Sequence, residues 1–224
     1  MVTTTGDLFH AKAVIVSIPT CLLPTINFEP PLPDSKQRLA QQTALGYYAK
    51  AVFVFDRPWW READLSGTME SREGPILFCR DTCIEQDSQF SITAFMVGDP
   101  GRRWSKWSTA ERKRLVREQF DSFFGEAARA VGVEVPSPLQ IIEKEWVKDP
   151  WATGAPSPVT TPGMLVEDAG KAIREPWRNV HFVGTETAHV WKGYMEGAVR
   201  SGIRGAHEVI ADLAAAKVRR SAMS

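Results

Sequence analysis

Cysteine is scarce in this chain: Cys21, Cys79 and Cys83 are the only three in 224 residues. An odd number, without Cys-x-x-Cys spacing or a matching histidine cluster, argues against a disulfide framework and against a zinc site. The thiols are expected to be reduced and mostly buried, as in an intracellular protein. No stretch approaches the roughly 18 apolar residues of a membrane span, so no transmembrane anchor is expected. The start, MVTTTGDLFHAKAV, lacks a basic-then-apolar leader, and the tail, AAAKVRRSAMS, carries no lipidation signal. Net charge is also missing: Lys plus Arg equals Asp plus Glu at 27 each, which gives no reason to expect nucleic acid as a partner. Internal repeats, low-complexity segments and a Ser-His-Asp or metal constellation are absent as well.

What remains is ordinary globular composition, 43% hydrophobic and 24% charged, in a length that suits one large domain or two small ones. Tryptophan is plentiful at eight. Such an excess suits a cavity for flat or apolar ligands, although tryptophans more often fill cores.

VTTT, then Gly6-Asp7, then an apolar run reads as strand, turn, strand, so the sequence opens inside a sheet, as a piece of a longer architecture would. Residues 11–18 (AKAVIVSI) form a β-branched run closed by Pro19, the pattern of a strand buried on both faces. After a proline-rich spacer, a short helix fits residues 35–42. Strands follow at 50–55 (KAVFVF), 76–79 and 90–97. Short strands in succession without long helices between them imply an antiparallel sheet. Ser108 opens a helix with a capping box whose third position is Glu111. Val116, Phe120, Phe123 and Ala127 recur there at helical spacing and predict the buried face. Residues 139–147 alternate as a strand ending at Trp146, and residues 180–183 form another. The last helix runs from about Tyr194 to Leu213. Its predicted apolar face is Val199, Ile203, Ala206, Val209, Ile210 and Leu213, with Arg200, Arg204, Glu208 and Asp212 toward water. Gly197, Ser201 and Gly205 make a stripe poor in side chains. Helix-interior glycine costs about 0.5–1 kcal/mol against alanine, so the stripe predicts close approach by another backbone or a ligand.

The chemistry concentrates in VGTETAHVWKGYMEGAV, residues 183–199. A strand meets a Gly184-Thr185-Glu186 turn, and Gly193 precedes a helix whose first N–H groups are unpaired and partly positive. Such a helix start suits a phosphate or an electron-rich carbonyl oxygen, and equally it can be an ordinary strand-turn-helix.

This segment resembles the C-terminal cofactor-binding segment of the flavin-containing monoamine oxidases. AKAVIVSIP, NFEPPLP, GYYAKAVFVFDRPWW and EWVKDPWATGAPS resemble further family stretches in family order, so the likeness covers nearly all of residues 1–217. It is nearest to the fungal-type enzymes that hold FAD without a covalent link. The resemblance implies the C-terminal part of a two-domain α/β (α+β) flavoprotein. FAD-binding segments would lie at residues 1–19 and 149–217, an antiparallel substrate domain at 20–148, and a disordered tail at 218–224. It implies oxidation of a primary or secondary amine to an imine, which water hydrolyses to an aldehyde or other carbonyl, with O2 reduced to hydrogen peroxide.

Residue by residue, Lys50 matches the lysine that bonds a water beside flavin N5. It reads as an inward ammonium among Tyr47, Tyr48, Ala51 and Phe53, which would need a polar partner. Tyr194 matches a wall of the aromatic cage that orients the amine. Trp146 matches a tryptophan beside the flavin ring. Gly184, Thr185 and Glu186 match the turn on the ribityl and pyrophosphate. Gly193 and Met195 match the helix start aimed at the flavin pyrimidine. Ala155 stands where the mammalian enzymes attach FAD through cysteine, so noncovalent FAD is implied. Pro156 stands at the second cage wall, with Trp151 a candidate replacement. Phe78 and Phe95 are candidate cavity-lining residues, with ordinary core as the alternative.

One family feature is absent: no G-x-G-x-x-G follows a strand, and Gly125, Gly132 and Gly154 have the wrong spacing. The principal dinucleotide clamp is therefore not in this chain. Turnover by the chain alone is not expected, and a separate chain could carry the missing half. The alternative reading is a noncatalytic truncated fragment or interaction module that does not bind FAD by itself.

Overall fold

The computed structural model describes residues 1–222. In chain order its elements begin with β1 (Val14–Val16), α1 (Asp34–Gln41), β2 (Thr43–Leu45), β3 (Tyr48–Phe55) and α2 (Trp59–Glu62). They continue with β4 (Met69–Glu70), β5 (Phe78–Asp81), β6 (Phe90–Val97), α3 (Gly98–Trp104), α4 (Thr109–Phe120), α5 (Glu126–Ala130) and β7 (Gln140–Glu145). The last are β8 (Pro158–Thr160), α6 (Asp168–Ala172), β9 (Val180–Phe182) and α7 (Met195–Ser221). Two compact units result, Met1–Leu45 with Ser157–Ser224, and Gly46–Pro156.

These boundaries move two segments from their expected places. Residues 20–45 belong with β1 and α7, because Leu23, Leu32 and Ala40 pack with Phe182, and Leu39 packs with Met164, Ala169 and Ile173. Residues 149–156 belong with the sheet, where the Ala155 N–H donates to the Gly46 carbonyl at 3.1 Å.

The sheet unit is one antiparallel sheet in the order β4-β5-β6-β3-β7. Strand β3 alternates half-buried and buried residues along its length, as a period of two requires. Ala49, Ala51, Phe53 and Phe55 face a core that also holds Trp59, Trp60, Trp104, Val116 and Phe120. Phe53 stacks on Phe120 with centroids 4.4 Å apart. Each such side chain fully removed from water contributes about 1.5–3 kcal/mol. Three of the tryptophans are thus core filling, the plainer of the two readings of their abundance.

Ser108 caps α4 as its sequence predicts, its Oγ accepting the Glu111 N–H at 3.3 Å. The Glu111 carboxylate turns to Arg114 instead of closing the box. Downstream the buried positions are Phe124 and Ala128, not Phe123 and Ala127. A π-turn at Asp121–Gly125 explains the change, because its wider turn delays the buried face by one residue. Strand β7 ends at Glu145, so Trp146 opens a 3-10 turn instead of closing the strand.

In the other unit, among the described residues, β1 pairs in parallel with β9 alone, and β2 pairs with β8. The expected strand at 11–18 contracts to three residues, and it is not buried on both faces: Ile15 is exposed. Helix α7 runs past its expected end, so residues 218–221 of the expected tail are helical, while Met223 and Ser224 lie outside the described residues. Its packed face is also reversed. Val199, Ile203 and Ile210 are 58%, 54% and 64% exposed, whereas Gly197, Ser201 and Gly205 are buried and Arg204 and Glu208 are half-buried. The small stripe admits this chain's own turn and strand: a Cβ on Gly197 would lie 2.1 Å from the Trp191 carbonyl oxygen, and one on Gly205 2.4 Å from Val183. Among the described residues no helix is long and apolar enough to cross a membrane.

Candidate functional site

Strand β9 carries the chain into the turn at Gly184, whose φ of 117° strains any residue with a side chain. The Gly184 N–H donates to Ser201 Oγ on α7 at 2.9 Å, and the Gly184 carbonyl receives the Thr187 N–H and hydroxyl. The Thr185 hydroxyl accepts the Gly193 N–H at 2.7 Å and donates to the Tyr194 carbonyl at 2.8 Å. One side chain thereby couples the turn to the start of α7. Gly193 has φ 88°, and a Cβ there would meet only Ser157 Oγ at 3.5 Å.

Glu186 points inward. Its two carboxylate oxygens each receive the Thr20 N–H at 3.1 Å, in buried surroundings. Burial, opposed by the Thr20 hydrogen bonds, raises its pKa. The side chains of Thr185 and Glu186 are therefore scaffold, and what this segment leaves outward is backbone and the first turn of α7. A helix start leaves its first amides without internal acceptors, and here they belong to Met195, Glu196 and Gly197. Met195 is 88% exposed, and the exposed Tyr194 meets Trp191 edge to face at 5.8 Å.

The sequence reading missed the cations behind this turn. Arg174 and Arg204 donate to its carbonyls, and Lys36 is buried with Nζ donating to the Ala172 carbonyl and lying 3.8 Å from the Phe182 ring centroid. Desolvation lowers the Lys36 pKa to about 8. A usable signal existed for Arg204 and Glu208: they continue the row of Gly197, Ser201 and Gly205 at spacings of three and four residues.

In the sheet unit, Lys50 stands on the face of β3 opposite Ala51 and Phe53, not among them as its sequence neighbours suggest. Register pairs it with Phe95 of β6 and Lys144 of β7. Phe95 stacks on Phe78 with centroids 4.4 Å apart and meets Tyr48 edge to face at 6.3 Å. The Lys50 ammonium lies 5.4 Å from the Phe95 centroid, and among the described residues it makes no hydrogen bond or ion pair. Phe78, Phe95 and Lys50 thus come together as one half-buried patch, outside the buried core. Lys144 binds Asp149 at 2.9 Å and lies 5.0 Å from the Trp146 ring, which is half-buried. Trp151 is 85% exposed, Ala155 is half-buried and Pro156 exposed.

The chain is a mixed helix-and-sheet protein in which a glycine turn is locked to the start of its last helix. Comparison with known proteins goes further. Residues 1–210 match the family described as flavin containing amine oxidoreductase, and the chain belongs to it. The probable flavin-containing monoamine oxidase A of Dictyostelium discoideum is 33% identical over 207 residues, 92% of this chain and 44% of that protein. The flavin-containing amine oxidase B of Cavia porcellus is 33% identical over 206 residues, 91% of this chain and 38% of that one. The cyclohexylamine oxidase of Brevibacterium oxydans superposes with a TM-score of 0.81 at 30% identity, over 91% of this chain and 43% of its own. The chain therefore spans less than half of each. Family membership implies a flavin. The outward backbone beside Gly184, where an added Cβ would meet only Ser17 O at 3.7 Å, and the open amides of α7 fit such a group.

Proposed function

We propose that this chain supplies the flavin-contacting turn and the substrate-facing sheet of an amine oxidase that holds FAD noncovalently. The observation that carries this reading is the Thr185 hydroxyl joining the Gly184 turn to the start of α7, which leaves backbone donors outward. Bound flavin would supply two-electron chemistry, taking a primary or secondary amine to an imine, hydrolysed to a carbonyl, with O2 reduced to hydrogen peroxide. The chain's own contribution is orientation and charge. The amides of Met195 and Glu196 and the turn at Gly184 to Glu186 would hold the flavin, their partial positive charge favouring electron density opposite them. Trp146 would pack beside the ring, Tyr194 would orient the neutral amine, and Trp151 is the candidate for the second cage wall. Lys50, whose ammonium has no polar partner among the described residues, would serve a water beside the flavin, and Phe78 and Phe95 would give the apolar wall. Ala155 offers no sulfur for a covalent link, and Pro156 leaves that cage wall without an aromatic ring.

The dinucleotide end of FAD calls for a second contributor. β1 and β9 form a two-stranded parallel pair with an exposed Ile15, and parallel sheets are stable when covered on both faces. Beside them α7 exposes Val199, Ile203, Ile210 and Leu213, which recur at helical spacing. These surfaces suit a βαβ dinucleotide-binding half, on the same polypeptide or on another.

The test adds FAD to the purified chain, with and without a βαβ half from a relative. Flavin absorbance retained near about 450 nm and amine-dependent peroxide from the reconstituted pair are expected. A colourless product under both conditions would leave a noncatalytic module as the function. In the reconstituted enzyme Lys50→Met slows flavin reduction or reoxidation while FAD stays bound, and unchanged kinetics would remove Lys50 from the site.

A further inference from the structure

Two guanidinium groups hold the turn after β9 from behind. Arg204, on α7, donates through Nη2 to the Phe182 carbonyl at 2.7 Å and to Thr187 Oγ1 at 3.0 Å. Arg174, two residues beyond α6, donates through Nε to the Thr187 carbonyl at 2.7 Å and through Nη2 to the Ala188 carbonyl at 3.3 Å. The carbonyls that enter and leave the turn are thus closed by charged donors, which make stronger bonds than neutral ones.

Holding two cations here is costly. Arg174 has no carboxylate partner among the described residues, and its pKa is lowered by burial and then by the charge of Arg204. Arg204 is secured by Glu208, which also meets Nδ1 of the buried His181 at 3.2 Å. A planar fork reaching two acceptors at once is a geometry that lysine cannot reproduce. The turn that these forks hold is the one whose Thr185 hydroxyl fixes Gly193 and Tyr194.

We infer that Arg174 and Arg204 are positioning residues: they preset the backbone of Gly184 and Thr185 and, through the Thr185 hydroxyl, the first turn of α7 for the flavin. This rests on the flavin reading above. Neither guanidinium is required to touch the flavin. Each acts by removing alternative conformations of the turn before binding, so that little ordering cost remains when the flavin arrives.

The experiment titrates FAD into the full chain, alone and with the βαβ half, and follows quenching of its fluorescence and the positions of its visible bands. Amide hydrogen exchange over residues 182–197 is recorded on the same samples. Wild-type quenching tests the flavin reading, and the differences among variants test the clamp. Arg204→Ala is expected to speed exchange across 182–197, to shift the bands of bound FAD and to weaken its binding roughly tenfold or more. Millimolar guanidinium should restore part of that affinity. Arg204→Lys falls between the two, and Arg200→Ala, an exposed arginine paired with Glu196 on the same helix, behaves as wild type. Wild-type FAD affinity and band positions in Arg204→Ala would overturn the positioning role even if the variant were less stable. A wild-type chain that leaves FAD fluorescence unquenched both alone and with the βαβ half would overturn the flavin reading, and the inference with it.

Discussion

Replacing Lys36 by methionine tests the packing behind the candidate site through a single charge. Lys36 is 3% exposed, and its ammonium is held by the Ala172 carbonyl and the face of Phe182. Desolvation takes its pKa from 10.5 down to about 8. That drop is equivalent to about 3 kcal/mol by which folding disfavours the charged form. Because the folded pKa lies below the unfolded one, the native state binds fewer protons between pH 8 and 10.5, and stability rises with pH across that window. Methionine removes the buried charge but leaves the Ala172 carbonyl without its donor, a loss of about 1–3 kcal/mol. At pH 7 Lys36→Met is therefore expected to lie between unchanged and about 2 kcal/mol more stable than wild type. Above pH 10.5 wild type, now neutral at Lys36, should be the more stable by about 1–3 kcal/mol. Urea unfolding of both proteins at several pH values measures the gap, and titrations elsewhere in the chain cancel in the difference. A variant clearly less stable at pH 7, with a gap that does not change with pH, would refute the buried-cation account.

Two glycines of α7 should respond to alanine with opposite signs. Gly197→Ala forces a Cβ to 2.1 Å from the Trp191 carbonyl oxygen and should destabilise by about 1–3 kcal/mol, whereas Gly202→Ala, with nothing within 4 Å, should gain about 0.5–1 kcal/mol in chemical denaturation. Glu186→Gln should be at least as stable as wild type at pH 7. The raised folded pKa means that the native state holds its proton above pH 4.5 where the unfolded chain loses it, so wild-type stability falls as pH rises through that window. The advantage of the glutamine variant should shrink as pH is lowered toward 4.5, and a constant difference in urea midpoints would contradict the burial of this carboxylate.

Much of the local structure was legible in residue order. The β-branched and aromatic runs KAVFVF and FSITAFMV marked β3 and β6, because such side chains fit a pleated, packed surface. Ser108 marked the start of α4, because its hydroxyl satisfies an amide that the helix leaves open. The Gly197-Ser201-Gly205 stripe marked a close approach, because nothing else compensates for helix-interior glycine. Such signals are local, and each was written within about a dozen residues.

What tertiary structure alone decided is what lies opposite each face. Periodicity divided α7 into an apolar and a small-and-charged side, but this unit packs the second and leaves the first open. The reason is that the turn at Gly184 needs Ser201 and Arg204 to close its own backbone groups. The sequence reading set Lys50 among Ala51 and Phe53, whereas the folded strand turns it to the opposite face and pairing with β6 puts Phe95 and Phe78 beside it. The inward turn of Thr185 and Glu186 depends on partners at Gly193 and at the distant Thr20. Hydrogen bonds that join residues far apart in the chain leave no period to read, since their geometry exists only once the chain has folded.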